Sequence, residues 1–183
     1  RTYCDNYLEI VKRRTRFEGA PNAEQRSALI TLAHASDALT RLFAPFLPYV
    51  TDMLHDIMTG AGEAPVRTIH ARGSWPSLDD QAGTGLFAAE GEAFVAILAG
   101  ARKVKSELQV SPKAPVETLA VLCEGAASVE ALIGPTAGDL AAVMSAGDVT
   151  LAGEAPAGAT SAMSPEDERF TVALVMAAEA DAG

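Results

Sequence analysis

The chain has 183 residues, 49% apolar and 5% aromatic, with a formal net charge of −10. That much apolar side chain can bury a sizeable core, which excludes a disordered chain. No stretch approaches the ~18 uncharged apolar residues that a membrane-spanning helix needs. Acidity argues at first against nucleic acid, whose phosphates draw Lys and Arg. The charge is uneven, however: residues 1–113 hold 13 basic and 13 acidic side chains, and residues 114–183 hold one basic and 11 acidic.

Residues 1–17 read as a helix, with Tyr3, Tyr7, Ile10, Val11 and Phe17 on one side and Asp5, Lys12, Arg13 and Arg16 on the other. The chain starts at Arg1, inside this pattern, with neither Met nor a signal-peptide pattern, which reads as a piece of a longer protein. Gly19-Ala20-Pro21 ends the segment, and Asn22 caps a second helix running to about Ala44. Its apolar stripe is Leu29, Leu32, Ser36, Leu39 and Phe43, with Ala33 beside it. Pro45 and Pro48 break it, because proline lacks the N–H and clashes inside a helix. A third helix spans about Tyr49–Met58, stopped by Gly60 and Gly62.

Residues 60–80 form a connection rich in Gly, Pro and Ser, with the single tryptophan, Trp75. A fourth helix covers roughly 84–109, its apolar face being Phe87, Phe94, Ile97, Leu98, Ala101, Val104 and Leu108. Residues 1–111 are therefore expected to be a mainly α domain, an antiparallel bundle of four helices around one core. The pattern changes at Pro112. Residues 116–123 read as a strand, 126–146 as a helix, 149–151 as a short strand and 170–176 as another, giving a small, acidic α+β domain over 112–183.

The sequence holds no Walker lysine loop, no G-x-S-x-G and no H-E-x-x-H. Gly83, Gly85 and Gly91 follow no strand and do not make a dinucleotide fingerprint. His34 shares a polar helix face with Asp37 and Arg41, as a solvated histidine does. His55 lies near a helix C-terminus, where the dipole favours it, and His70 has no partner at ligand spacing. Asp79-Asp80 precede a helix and are explained by capping. Cys4 and Cys123 make no disulfide framework, which points to a reducing, cytoplasmic compartment. No metal or cofactor is expected.

The basic residues are more suggestive. Lys12, Arg13 and Arg16 lie on one helix face. Arg102, Lys103 and Lys105 cluster near the end of the fourth helix, followed by Lys113. Each group suits either a solvated face complementing a helix C-terminus or contact with phosphates, and spacing alone leaves both open.

At this point the sequence resembles a known family. Tyr3 to Arg13 (YCDNYLEIVKR) resembles the opening of the anticodon-binding helical domain of valyl-tRNA synthetases. Leu42 to Leu54 (LFAPFLPYVTDML) is similar to the Pro-x-x-Pro break of class I synthetases of the valine, isoleucine and leucine group. Thr68 to Pro76 (TIHARGSWP) resembles the loop that follows, and Ala101 to Val116 (ARKVKSELQVSPKAPV) the closing helix and the turn into a small C-terminal domain. The family's ATP-handling HIGH and KMSKS signatures are not in this sequence. The resemblance thus implies a piece that holds the anticodon stem and loop of a tRNA, while ATP-dependent charging and editing belong to parts of a parent outside this chain.

On that resemblance, Lys12, Arg13 and Arg16, with Arg102, Lys103 and Lys105, are the expected phosphate contacts. Trp75 is expected either to stack on a base or to plug the end of the bundle. Two other readings stay open, a structural or protein-interaction module and a diverged paralogue outside translation, beside the equivalent region of an isoleucyl-type enzyme.

Overall fold

The computed structural model describes residues 2–16, 22–60, 68–72, 75–77, 88–123, 130 and 134–178. The expectations for Phe17, residues 19–21, 61–67, Asp79, Asp80, Gly83, Gly85, Phe87 and residues 124–129 and 131–133 lie outside them. The chain divides into two compact units, one of residues 1–13 with 85–183, the other of residues 14–84. Sequence composition changes at 111/112 instead. The two divisions differ because the first follows packing and the second follows residue type.

In the first unit the N-terminal segment is not one continuous helix. It runs as wide π-type turns over Thr2–Tyr7, then as α1 (Leu8–Ile10) and α2 (Lys12–Thr15), with Val11 between them. No glycine or proline marks this change of pitch in the sequence. Val11 is buried and Ile10 packs against the core.

Helix α6 (Ala88–Glu107) carries the stripe expected of it: Phe94, Ile97, Leu98, Ala101 and Val104 are all buried. Full burial of one such large apolar side chain contributes about 1.5–3 kcal/mol. The partners of that stripe differ from expectation. It packs on β-strands, because periodicity fixes which face of a helix is apolar but not what covers it.

The sheet has the order β2-β1-β4-β3, with β1 Val116–Leu122, β2 Ala146–Ala152, β3 Thr160–Met163 and β4 Thr171–Met176. Strands β1 and β2 are parallel, with Leu119 opposite Val149. Strands β1 and β4 are antiparallel, with Leu119 opposite Leu174 and Val121 opposite Val172. Those four β1 and β4 side chains point to one face, where α6 and α7 (Ala137–Met144) cover them; Leu140 and Met144 of α7 complete the core. A parallel pair needs a crossover, and the one between β1 and β2 includes α7.

Strand β3 is absent from the sequence expectations. Its four residues, Thr-Ser-Ala-Met, sit in a Gly/Ala/Pro-rich stretch with one apolar anchor, Ala162, opposite Val172. Ser164 fixes the β3–β4 turn: its hydroxyl donates to the Ala96 carbonyl of α6 (2.7 Å) and accepts the N–H groups of Glu166 and Asp167. At Gly100 the helix approaches the sheet so closely that an added Cβ would lie 2.9 Å from Val172 Cγ2.

The second unit contains α3 (Ala23–Phe43), α4 (Pro48–Thr59) and α5 (Ile69–Arg72). Asn22 caps α3 as expected, through a reciprocal pair: Asn22 Oδ1 accepts the Gln25 N–H (2.8 Å), and Gln25 Oε1 accepts the Asn22 N–H (2.9 Å). Pro48 occupies the first turn of α4, and Gly60 ends it with φ 66°, a left-handed conformation that glycine adopts without cost. Asp52 Oδ1 accepts the Ile69 N–H (3.0 Å), tying α5 to α4.

Helices α3 and α4 pack on each other, and the expected stripe of α3 is covered in part: Leu29, Leu32 and Ser36 are half-buried, Leu39 and Phe43 exposed. The buried residues of α3 are Ala28 and Thr40, and those of α4 are Thr51 and His55. Leu39, Phe43, Phe46 (76% exposed), Tyr49 (90%), Met53 and Ile57 are exposed.

Candidate nucleic-acid interface

The two basic groups read from the sequence are used in different ways. Lys12 Nζ lies 2.6 Å from both carboxylate oxygens of Glu9, one helical turn earlier and on the surface. Arg13 is engaged more deeply. Its Nε and Nη2 donate to Asp139 Oδ1 at 3.2 and 3.0 Å, and Asp139 is 0% exposed. Asp139 sits in the first turn of α7, where the helix dipole favours a carboxylate. The guanidinium lies over Gly138, 3.4 Å from where a Cβ would be. Arg13 thus fastens the N-terminal segment to α7. Arg16 follows α2 in the second unit; its backbone carbonyl accepts from Gln25 Nε2, and its side chain is exposed with no carboxylate partner among the described residues.

In the second group, Arg102 and Lys103 are exposed on α6. Arg102 Nη1 donates to Asn6 Oδ1 (2.9 Å) and Nη2 to the Asp5 carbonyl (3.3 Å). Lys103 Nζ donates to the Met163 carbonyl at 3.4 Å and lies 4.0 Å from Glu107.

Lys105 departs from its expected role. It is 2% exposed, and its ammonium donates to the carbonyls of Pro112 (2.9 Å), Ala114 (2.7 Å) and Met144 (2.8 Å). An ammonium has three N–H donors, so all are spent inside the protein and none reaches a phosphate. Burial pushes its pKa below the ordinary lysine value. The signal was in the spacing: Leu98, Ala101, Lys105 and Leu108 fall at i, i+3, i+7 and i+10, which puts Lys105 on the apolar face.

Trp75 is 62% exposed, so its indole does not plug a core. His34 is exposed beside the Asp37–Arg41 ion pair (2.6 Å), as a solvated histidine should be. His55 is buried, and His70 Nε2 lies 3.5 Å from the Pro48 carbonyl oxygen. Among the described residues no three His, Cys, Asp or Glu side chains converge as a metal site would require. None of their helices is long and apolar enough to cross a membrane.

Lys12, Arg16, Arg102, Lys103 and Lys113 all lie exposed, on or beside helices, with the internal partners given above for Lys12, Arg102 and Lys103. Acidic side chains are exposed on the α+β part at Glu117, Asp148, Glu154, Glu166 and Glu168. Exposed cations carried largely by helical elements are what this combination defines, and the match of sequence to family is direct. The chain belongs to the family described as the anticodon-binding domain of tRNA ligase, which matches residues 1–120.

Curated relatives point the same way. The chain is 38% identical over 120 residues to a valine–tRNA ligase of Rickettsia akari, covering 65% of this chain and 14% of that protein. It is 34% identical over 122 residues to one of Ehrlichia ruminantium (67% and 14%) and 38% identical over 119 residues to one of Anaplasma marginale (65% and 14%). The matched region is therefore a small part of each relative's length.

Proposed function

We propose that this chain is the tRNA-binding part of a valine–tRNA ligase, holding the anticodon stem and loop while a parent protein activates valine with ATP and transfers it to the tRNA 3′ end. The observation that carries the reading is the family match over residues 1–120 together with relatives that are valine–tRNA ligases. The exposed cations on helical elements give it a physical basis, because guanidinium and ammonium groups pair with backbone phosphates. Arg16, Arg102, Lys103 and Lys12 are the proposed phosphate contacts, and Trp75, with its exposed indole, the proposed stacking residue. Arg13 acts in this reading by holding the N-terminal segment in place through Asp139.

The proposal keeps an antiparallel helical arrangement for α3 and α4 and the composition change at 111/112 as the boundary of the acidic part; α6, which packs on the sheet, is not a member of that arrangement. Support for the bundle is the helical content and the α3–α4 packing across a proline break. The chain itself needs no cofactor in this reading, ATP being the parent's, and it works in the cytoplasm.

The test is titration of a fluorescent valine tRNA transcript with the 183-residue chain between 50 and 200 mM salt. Affinity should fall steeply as salt rises, and Arg16→Glu with Lys103→Glu should reduce the slope of log affinity against log salt by roughly one unit per lost contact. Salt-insensitive binding that the charge reversals leave unchanged would sink the reading.

A further inference from the structure

We propose that the outer face of α4 is where this chain docks on the rest of its parent polypeptide, against an apolar protein surface that lies outside the 183 residues. The inference rests on the part of the reading above that places the chain within a longer ligase. Helix α4 is inside out. Its residues separate into two halves at helical spacing. Tyr49, Val50, Met53, Leu54, Ile57 and Met58 share one half, and all six are exposed, from 41% at Leu54 to 90% at Tyr49. Thr51, Asp52, His55 and Asp56 share the other half; Thr51 and His55 are buried, and the two aspartates are half-buried.

A surface helix of a self-contained unit turns its apolar half inward. In α4 the covered half is the polar one, held by hydrogen bonds. Thr51 Oγ1 donates to the Leu47 carbonyl (2.9 Å), and Asp52 Oδ1 accepts the Ile69 N–H. Asp56 Oδ1 is buried with no donor among the described residues, which adds to the cost of this orientation. The exposed apolar residues continue back through Phe46 to Phe43 at the end of α3. So many large apolar side chains in water mark a surface that is covered in the working protein.

The chemistry of the face selects what covers it. Helix α4 has no Lys or Arg, and its only carboxylates are Asp52 and Asp56. RNA is a poor fit, because its phosphates need cations. A lipid surface is a poor fit too, because a helix lying on one carries Lys and Arg on its polar side. An apolar protein surface fits. There is polypeptide to supply it, since the matched region is only 14% of the length of each valine–tRNA ligase compared above.

The test follows oxidation of the native methionines by dilute hydrogen peroxide, read by mass spectrometry, in the isolated chain and in the full-length parent. In the isolated, monomeric chain Met53 and Met58 should oxidise within about threefold of free methionine in the same solution; in the parent they should be about tenfold slower, because oxidation follows exposure. Met53→Lys with Ile57→Lys should shift the melting temperature of the isolated chain by no more than about 1 °C, and lower that of the parent by roughly 5 °C or more.

Equal oxidation rates in the two forms overturn the inference, and so do equal melting shifts. Slow oxidation in the isolated chain overturns it too, since the chain would then cover α4 itself. The inference also falls if both methionines stay fast in the parent and slow down only with added tRNA, with phosphatidylcholine vesicles or as protein concentration rises. Those results would assign the face to RNA, to lipid or to a second copy. The tRNA role is read separately, by salt-dependent binding. Loss of that binding with α4 protected in the parent removes the tRNA role and leaves the docking face standing.

Discussion

Lys105→Met removes the ammonium that joins three segments and keeps most of the side-chain volume. The Met144 carbonyl loses its buried partner, and the Pro112 and Ala114 carbonyls lose part-buried ones. A buried carbonyl left unsatisfied costs about 1–3 kcal/mol, and part-exposed ones less because water replaces the donor. Against this, the variant no longer desolvates a charge, and thioether packing is favourable. The acceptors are main-chain atoms and stay whatever the side chain, so the loss dominates, at about 2–3 kcal/mol net. For a chain of this length that is roughly 5–10 °C in melting temperature.

Urea unfolding followed by far-UV circular dichroism measures the change, and hydrogen exchange at the amides of β1 and α7 locates it. A variant within about 0.5 kcal/mol of wild type, the ordinary range for a surface change, would refute the assignment. The same lysine predicts a pH dependence. Its folded-state pKa lies below the ordinary 10.5. Just under pH 10.5, therefore, the unfolded chain still holds a proton that the folded chain has begun to release. The unfolded state binds more protons there, so wild type should gain stability relative to Lys105→Met as pH rises through that interval.

Arg13→Ala should destabilise the first unit by about 2 kcal/mol. That is less than the ~3–5 kcal/mol for a fully buried pair, because the Arg13 side chain is 44% exposed; a double-mutant cycle with Asp139→Asn should show strong coupling, and additivity would count against the pairing. Two glycines of α6 should respond with opposite signs. Gly100→Ala meets Val172 at 2.9 Å and should lose about 1 kcal/mol net, whereas Gly91→Ala, with nothing within 4 Å, should gain about 0.5–1 kcal/mol; chemical denaturation reads both. Trp75, the sole tryptophan, should show red-shifted emission and open access to iodide in the free chain and be quenched when the tRNA is added; protection from iodide before RNA is added would contradict its exposure.

Some of this architecture is written locally and was readable. The Asn22 cap and the Gly60 stop of α4 rest on contacts within a turn or two, and the stripe from Phe94 to Val104 shows in its own spacing. Strands β1 and β4 were readable because their apolar residues form compact runs. What escaped depends on partners distant in sequence. The full burial of Ala28 and Thr40, beside a Leu29–Phe43 stripe whose last two members are exposed, depends on what packs against α3. Strand β3 exists because β4 supplies its ladder. For the interface, exposed Arg102 and Lys103 were found from residue type alone, but type also nominated Lys105 and Arg13. Their partners, the Met144 carbonyl and Asp139, lie 39 and 126 residues away. A cation's chemistry is visible in one letter of sequence, whereas whether that charge is already spent is not.

The first unit is discontinuous, with residues 14–84 inserted between its two parts. The insertion matters for how the protein is made. On a ribosome this N-terminal segment emerges before the rest of its unit, yet Ile10 cannot be covered, nor Arg13 paired, until α6, the sheet and α7 exist. Strand β1 is in the same position, since its antiparallel neighbour β4 is the last strand of the chain. At about 5–20 residues per second, roughly 8–30 s separate the N-terminal segment from its finished seat. In that interval residues 14–84 have everything they need to form their own contacts, while the sheet unit waits on a long loop closure that is slow by topology. A nascent chain stalled before Thr171 would carry a complete second unit and an open first one, the state in which chaperones and proteases would meet it.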